Sequence, residues 1–263
     1  MKRRDFIAAS GAMATLPLQA IARPSETRQA DDRQYFELMI YQTHVGARRN
    51  RVADFYRDVA LPAYGRLGLG PVGVFTVLYG SNQPSLYVLV PHPSLASIAT
   101  MPARLLDDTD YRQHGADFLN APLGDPAYVR LERRLMVAFA EMPRLEAPTA
   151  LLETSRIFEL RTYESHSLKA AQQKIAMFNE GGEIDIFRKT GLQPVFFGET
   201  LFGPALPNLT YMLVFENMAK RDASWDRFRT DPDWLTLREV PLYQNTVSNI
   251  TDIILRPTSF SQV

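Results

Sequence analysis

Phe36-Glu37-Leu38-Met39-Ile40-Tyr41-Gln42-Thr43-His44 returns as Phe158-Glu159-Leu160-Arg161-Thr162-Tyr163-Glu164-Ser165-His166, 122 residues further on. Phe, Glu, Leu, Tyr and His keep their spacing, which marks an internal repeat. Working outward, Gly68-Leu69 and Pro71-Val72 recur as Gly191-Leu192 and Pro194-Val195 at an offset of 123. Tyr87-Val88-Leu89-Val90 then reads against Tyr211-Met212-Leu213-Val214 at 124. A drift of two residues allows only small insertions, so the duplication is structural.

Each copy reads strand, helix, strand, strand, helix, strand. Phe36, Leu38 and Ile40 alternate with Glu37, Met39 and Tyr41, the period of two of a strand. Val52, Phe55, Val59 and Ala63 fall on one helical face, and Leu168, Ala171, Ile175 and Phe178 are the counterpart stripe in the second copy. Val72 to Tyr79 and Leu86 to Val90 form a hairpin around Gly80 to Pro84, as do Val195 to Phe202 and Leu209 to Phe215 around Gly203 and Pro204. A second helix follows Ser94 in one copy and spans Ala219 to Thr230 in the other; Arg134 to Ala140 and Asn249 to Leu255 close the units. This is the ferredoxin-like β-α-β-β-α-β pattern, which covers one sheet face with helices and leaves the other bare. Two bare faces packed together give an α+β fold in which one chain forms a dimeric α+β barrel.

Of the 263 residues, 46% are hydrophobic and 22% charged, ordinary globular usage. Lys plus Arg equals Asp plus Glu, 29 each, so no excess positive field exists to collect nucleic acid. There is no cysteine, which excludes disulfides, thiolate catalysis and cysteine-held metals. Lys2-Arg3-Arg4-Asp5-Phe6-Ile7 precedes an apolar run from Ala8 to Ala22 and resembles a twin-arginine signal ending in the Ala20-Ile21-Ala22 processing site. Pro17 and Gln19 interrupt the run, which is too short for a span. The expected organisation is a signal peptide 1–22, an N-terminal segment 23–34, a first domain 35–140, a linker 141–155 containing Pro143 and Pro148, a second domain 156–257 and a tail 258–263. The expected location is the periplasm or another exported compartment, with no stable membrane span after cleavage. Loss of residues 1–22 removes three cations and one anion and leaves net charge −2.

Phe158-Glu159-Leu160-Arg161-Thr162-Tyr163 resembles the opening strand of NIPSNAP domains, and Asp231-Pro232-Asp233-Trp234 resembles that family's Asp-Pro-x-Trp stretch. The resemblance covers residues 156 to 257 well and 35 to 140 less well; Met39 stands for the arginine and Tyr111 for the tryptophan in the first copy. It implies the dimeric α+β barrel and carries no agreed catalytic residues, so function must be argued from the site.

Three functions fit such a barrel. The first is binding of a small ligand in the lumen. The second is a cofactor-independent enzyme, similar to monooxygenases of the same architecture. The third is a haem-binding barrel, similar to chlorite dismutases or dye-decolorising peroxidases, although the latter's Gly-x-x-Asp-Gly motif is missing. No cofactor is expected from the residues themselves, no metal site is expected, and a homo-oligomer stays open. Strand alternation sends Phe36, Leu38, Ile40, Phe158 and Leu160 toward the helices and Glu37, Tyr41, Glu159, Arg161 and Tyr163 into the lumen. The expected ligand-binding residues are Arg161, Glu37 and Tyr41, with Arg161 set between Glu159 and Glu37. Glu159, Tyr163, His166 and His44 are the acid–base candidates. The two histidines follow each first strand, where Thr43, Ser165 or Ser167 offer helix caps. His92 and His114 read as loop residues, Trp225 and Phe228 as core, and Asp231-Pro232-Asp233 as a helix stop.

Overall fold

The computed structural model describes residues 32–81, 83–148 and 156–263. The signal reading and residues 149–155 of the expected linker lie outside the described residues. Eight antiparallel strands close into one barrel: β1 (Tyr35–Gln42), β2 (Gly73–Tyr79), β3 (Ser85–His92), β4 (Arg130–Ala138), β5 (Ile157–Glu164), β6 (Gln193–Phe202), β7 (Asn208–Phe215) and β8 (Asn249–Pro257). Their order around the barrel is β1-β3-β2-β8-β5-β7-β6-β4. Each repeat therefore supplies a four-stranded ferredoxin-like sheet. The pairs β2–β8 and β4–β6 seal the two sheets together.

The helices cover the outside. The first helix of repeat 1 runs as α1 (Arg51–Phe55), a π-helical turn at Tyr56–Ala60, and α2 (Leu61–Arg66). Pro62 has no N–H for the carbonyl four residues earlier, and the wide turn lies where that bond is lost. Then follow α3 (Leu95–Asp107), α4 (Thr109–His114) and α5 (Ala116–Leu119). Repeat 2 has α6 (Leu168–Phe178), α7 (Glu183–Thr190), α8 (Met218–Thr230) and α9 (Pro232–Leu237). Side-chain caps start several of the helices: Ser94 accepts from Ser97 N–H, Ser167 from Ala170 N–H, Asn217 from Lys220 N–H, and Asp231 from the Asp233 and Trp234 N–H groups. Asp231 thus opens α9 as well as ending α8.

The core corrects the facing read from alternation. Phe36, Leu38 and Ile40 pack with Phe158, Leu160, Phe196 and Met212 inside the barrel. Phe36 meets Phe196 at 5.0 Å and Phe75 meets Phe158 at 4.8 Å between ring centroids, each contact crossing from one repeat to the other. An eight-stranded barrel is just wide enough for its side chains to fill. Its apolar set belongs inside, so Glu37, Tyr41, Glu159, Arg161 and Tyr163 turn outward to the helices. A lumenal ligand, haem included, would have to displace this core.

Two further expectations change. Val88, not Tyr87, is the counterpart of Tyr211: Met39 pairs with Val88 as Arg161 pairs with Tyr211. The offset is 123 here, and the one-residue slip puts Tyr87 in the barrel and Tyr211 under the helices. In α6 the buried set is Ala170, Lys174, Met177 and Phe178, whereas Leu168 is exposed. A lysine on the inner face hides that stripe from a hydrophobic pattern.

Candidate functional site

The richest chemistry lies between the outer face of β5 and the helices α8 and α9. Glu159 is 0% exposed. It accepts from Arg161 Nη1 at 2.8 Å and Arg221 Nη2 at 2.6 Å through Oε1, and from Trp225 Nε1 at 2.8 Å through Oε2. Burying a carboxylate is costly unless it is paired and hydrogen-bonded; here three N–H donors do both. Arg161 is two residues along the same strand and so on the same face. Arg221 and Trp225 are four apart on α8, hence also on one face.

Two cations share one buried anion. Asp252, across the ladder from Arg161, adds a longer contact of 3.6 Å to Arg221, and Asp222 pairs with Arg221 from the rim. The Arg161 guanidinium lies 4.7 Å from the Trp225 ring and 5.6 Å from that of Tyr163, a cation–π setting. Arg161 and Arg221 side chains are only 15% and 18% exposed, and the Nε atom of each is buried without an acceptor among the described residues. Both line a pocket of about 280 Å³ with Trp225, Phe228 and Trp234. Phe228 and Trp234 rings approach to 4.4 Å, forming an aromatic wall. Trp225 and Phe228 are core residues, as expected, that also wall the pocket.

Beneath it, Tyr211 donates to Tyr163 Oη at 2.8 Å, and burial pushes both phenols up, holding them neutral at physiological pH. On the far side of Trp234, Lys174 donates to Glu183 at 2.7 Å in a fully buried pair, where burial raises the Glu183 carboxyl against the pull of the lysine. Lys174 also borders a second, more open pocket of about 400 Å³ that shares the Trp234 wall.

The remaining sequence candidates lie elsewhere. Glu37 does not approach Arg161: it is paired with Arg133 of β4 and lies 3.6 Å from His92 Nε2, behind the other helix layer. Tyr41 shares a hydrogen bond of 3.0 Å with Tyr56 and is pushed up to about 12 by burial. His44 Nε2 bonds to the Pro126 carbonyl oxygen at 2.9 Å, and His166 is exposed; neither joins the pocket. Only Ser167 of the proposed caps serves a helix, while Thr43 donates to the Pro84 carbonyl. His92 is the buried last residue of β3 and His114 ends α4, so neither is a loop residue. Arg221 and Lys174 were not reached from the sequence; Arg221 four before Trp225 on a helix was the available signal.

A closed barrel of two fused ferredoxin-like repeats, with a cationic aromatic pocket in the outer layer of the second, defines a dimeric α+β barrel protein. Residues 158–262, most of the second repeat and the segment after it, match the NIPSNAP family model. No curated protein matches the chain. Among solved structures, a candidate monooxygenase from Lactobacillus acidophilus NCFM superposes with TM-score 0.54 at 12% identity, covering 86% of this chain and 94% of its own. A NIPSNAP-like domain protein from Burkholderia xenovorans, uncharacterised, aligns at 22% identity over 40% of this chain and 88% of its own, with TM-score 0.36. An anthrone oxidase-like protein aligns at 8% identity over 86% and 92%, with TM-score 0.49. Such identities speak to fold alone.

Proposed function

We propose that this chain is an exported NIPSNAP-domain protein that binds a small anion with a flat apolar body in the Arg161–Arg221 pocket. The observation that carries the reading is the pair of arginines, Arg161 and Arg221, that line one pocket walled by Trp225, Phe228 and Trp234 and keep 15% and 18% of their side chains exposed. A carboxylate or enolate pairs with guanidinium groups through charge-assisted hydrogen bonds. The rings give such a ligand its apolar contact. Binding is favoured over proton-transfer catalysis because Glu159 already accepts three donors and both phenols stay neutral.

Calorimetric titration with benzoate, phenylacetate and naphthoate tests the reading. One charge-assisted bond contributes about 1.5–3 kcal/mol, so Arg161→Met, which copies Met39 of the first repeat, weakens the best of these by roughly 10- to 150-fold. Equal affinity in the wild type and Arg161→Met, or no binding of any probe, overturns it. Turnover of a bound probe in oxygenated buffer would instead favour the enzyme reading.

A further inference from the structure

In the first repeat the glutamate equivalent to Glu159 backs a different constellation. His92 is 0% and Glu37 3% exposed, with His92 Nε2 and Glu37 Oε2 both buried, without any other partner among the described residues, and 3.6 Å apart. A carboxylate facing Nε2 favours the tautomer that carries its proton there. Arg133 holds that carboxylate in its charged form. The other ring nitrogen, Nδ1, is then a bare acceptor, and it lies 3.0 Å from Ser97 Oγ. Pro93 restricts the His92 backbone to the extended region, and the ring is enclosed by the fold. Ser97 sits half-buried in the first turn of α3, its own N–H donated to the Ser94 cap.

We propose that Ser97, His92 and Glu37 form a serine–histidine–carboxylate relay that makes Ser97 a nucleophile toward carboxylic esters. Nucleophile, base and orienting acid are recognised by geometry and role, whatever their order in the chain. Ser97 Oγ bonds to the acyl carbon as its proton passes to His92 Nδ1. The alkoxide leaves with that proton as the alcohol, and water, deprotonated by the same nitrogen, releases the acid and restores Ser97. Glu37 acts as a positioning residue by holding the imidazolium. The second repeat has Phe215 and Lys220 at the places of His92 and Ser97, so the relay belongs to the first repeat alone.

The test is reaction of the whole folded protein with diisopropyl fluorophosphate, followed by intact mass measurement and peptide mapping. The expected result is one diisopropylphosphoryl group on Ser97, absent in Ser97→Ala, with labelling at least about 100-fold slower in His92→Gln. No adduct, an adduct on another serine, or a folded His92→Gln protein labelled at the wild-type rate overturns the proposal. If His92→Gln does not fold, mapping of the wild type against Ser97→Ala decides the matter, because Ser97 is only half-buried and its replacement removes a single hydroxyl.

Discussion

Glu37 and Glu159 hold the same position on the first strand of each repeat, yet their arginines come from different places. Glu159 is met by Arg161 on its own strand and by Arg221 of α8, and Glu37 by Arg133 of the neighbouring strand, directly across the ladder from Met39. In repeat 2 the residue across from Arg161 is Asp252. The duplicated carboxylate has kept its buried place while the cation beside it moved. In repeat 2 the cation lines an aromatic pocket.

The stability order of variants follows from that geometry. Arg161→Met leaves Glu159 with Arg221 and Trp225 and costs about 1–2 kcal/mol, one buried hydrogen-bond contribution. Glu159→Gln leaves two largely buried guanidiniums without their shared anion and costs about 3–5 kcal/mol. Urea denaturation of both variants checks the order. A larger loss for Arg161→Met would mean that the arginine, not the carboxylate, anchors the cluster.

Acid should weaken the first repeat through Glu37. Burial opposes its ionisation, but the neighbouring His92 ring and the Arg133 charge outweigh that and hold the carboxyl below the ordinary 4.5. A lowered folded value contributes stability that is fully present above the unfolded value and lost as pH falls through the folded one. The gap in unfolding free energy between the wild type and Glu37→Gln is therefore widest near neutral pH and narrows below pH 4.5. Denaturation curves at a series of pH values measure it, and a gap that widens on acidification would contradict the assignment.

The repeat, the strand order within each unit and the intramolecular barrel were legible because Phe36-Glu37-Leu38 and Phe158-Glu159-Leu160 restate one pattern. What alternation could not give was the side. In a closed barrel both faces of a strand are buried, one against the other strands and one against helices, so burial does not separate Leu38 from Tyr41. The deciding signal was polarity. An interior shared by eight strands has no helix to bring a partner for Glu159, whereas Arg221 and Trp225, some 60 residues away in sequence, can be brought over its outer face. The slip of Tyr87 against Tyr211 has a similar cause, since aromatic identity outweighed register when only the sequence was compared.

Export is expected to depend on Arg3 and Arg4. Lysine keeps the charge of the amino-terminal region but removes the arginine pair that defines the route. The double Arg→Lys variant should accumulate as uncleaved precursor in the cytoplasm, seen by fractionation and intact mass. Normal delivery and processing would assign the leader to the general secretory route.

The two repeats should not fold apart. Separating residues 32–148 from 156–263 breaks the β2–β8 and β4–β6 ladders and leaves two open strand edges on each fragment. It also exposes Phe36 and Phe75 on one fragment and Phe158 and Phe196 on the other, which in the whole chain are fully buried against each other. Size-exclusion chromatography with light scattering should therefore find aggregates or self-paired dimers from either fragment, and a single cooperative melt when the two are refolded together. The same interior can be probed in the intact chain: Phe158→Ala opens a cavity where both sheets meet and costs about 3–5 kcal/mol. Soluble monomeric fragments with separate sharp melts, or a Phe158→Ala protein as stable as the wild type, would show that each sheet is held by its own helices and that the shared barrel core contributes little.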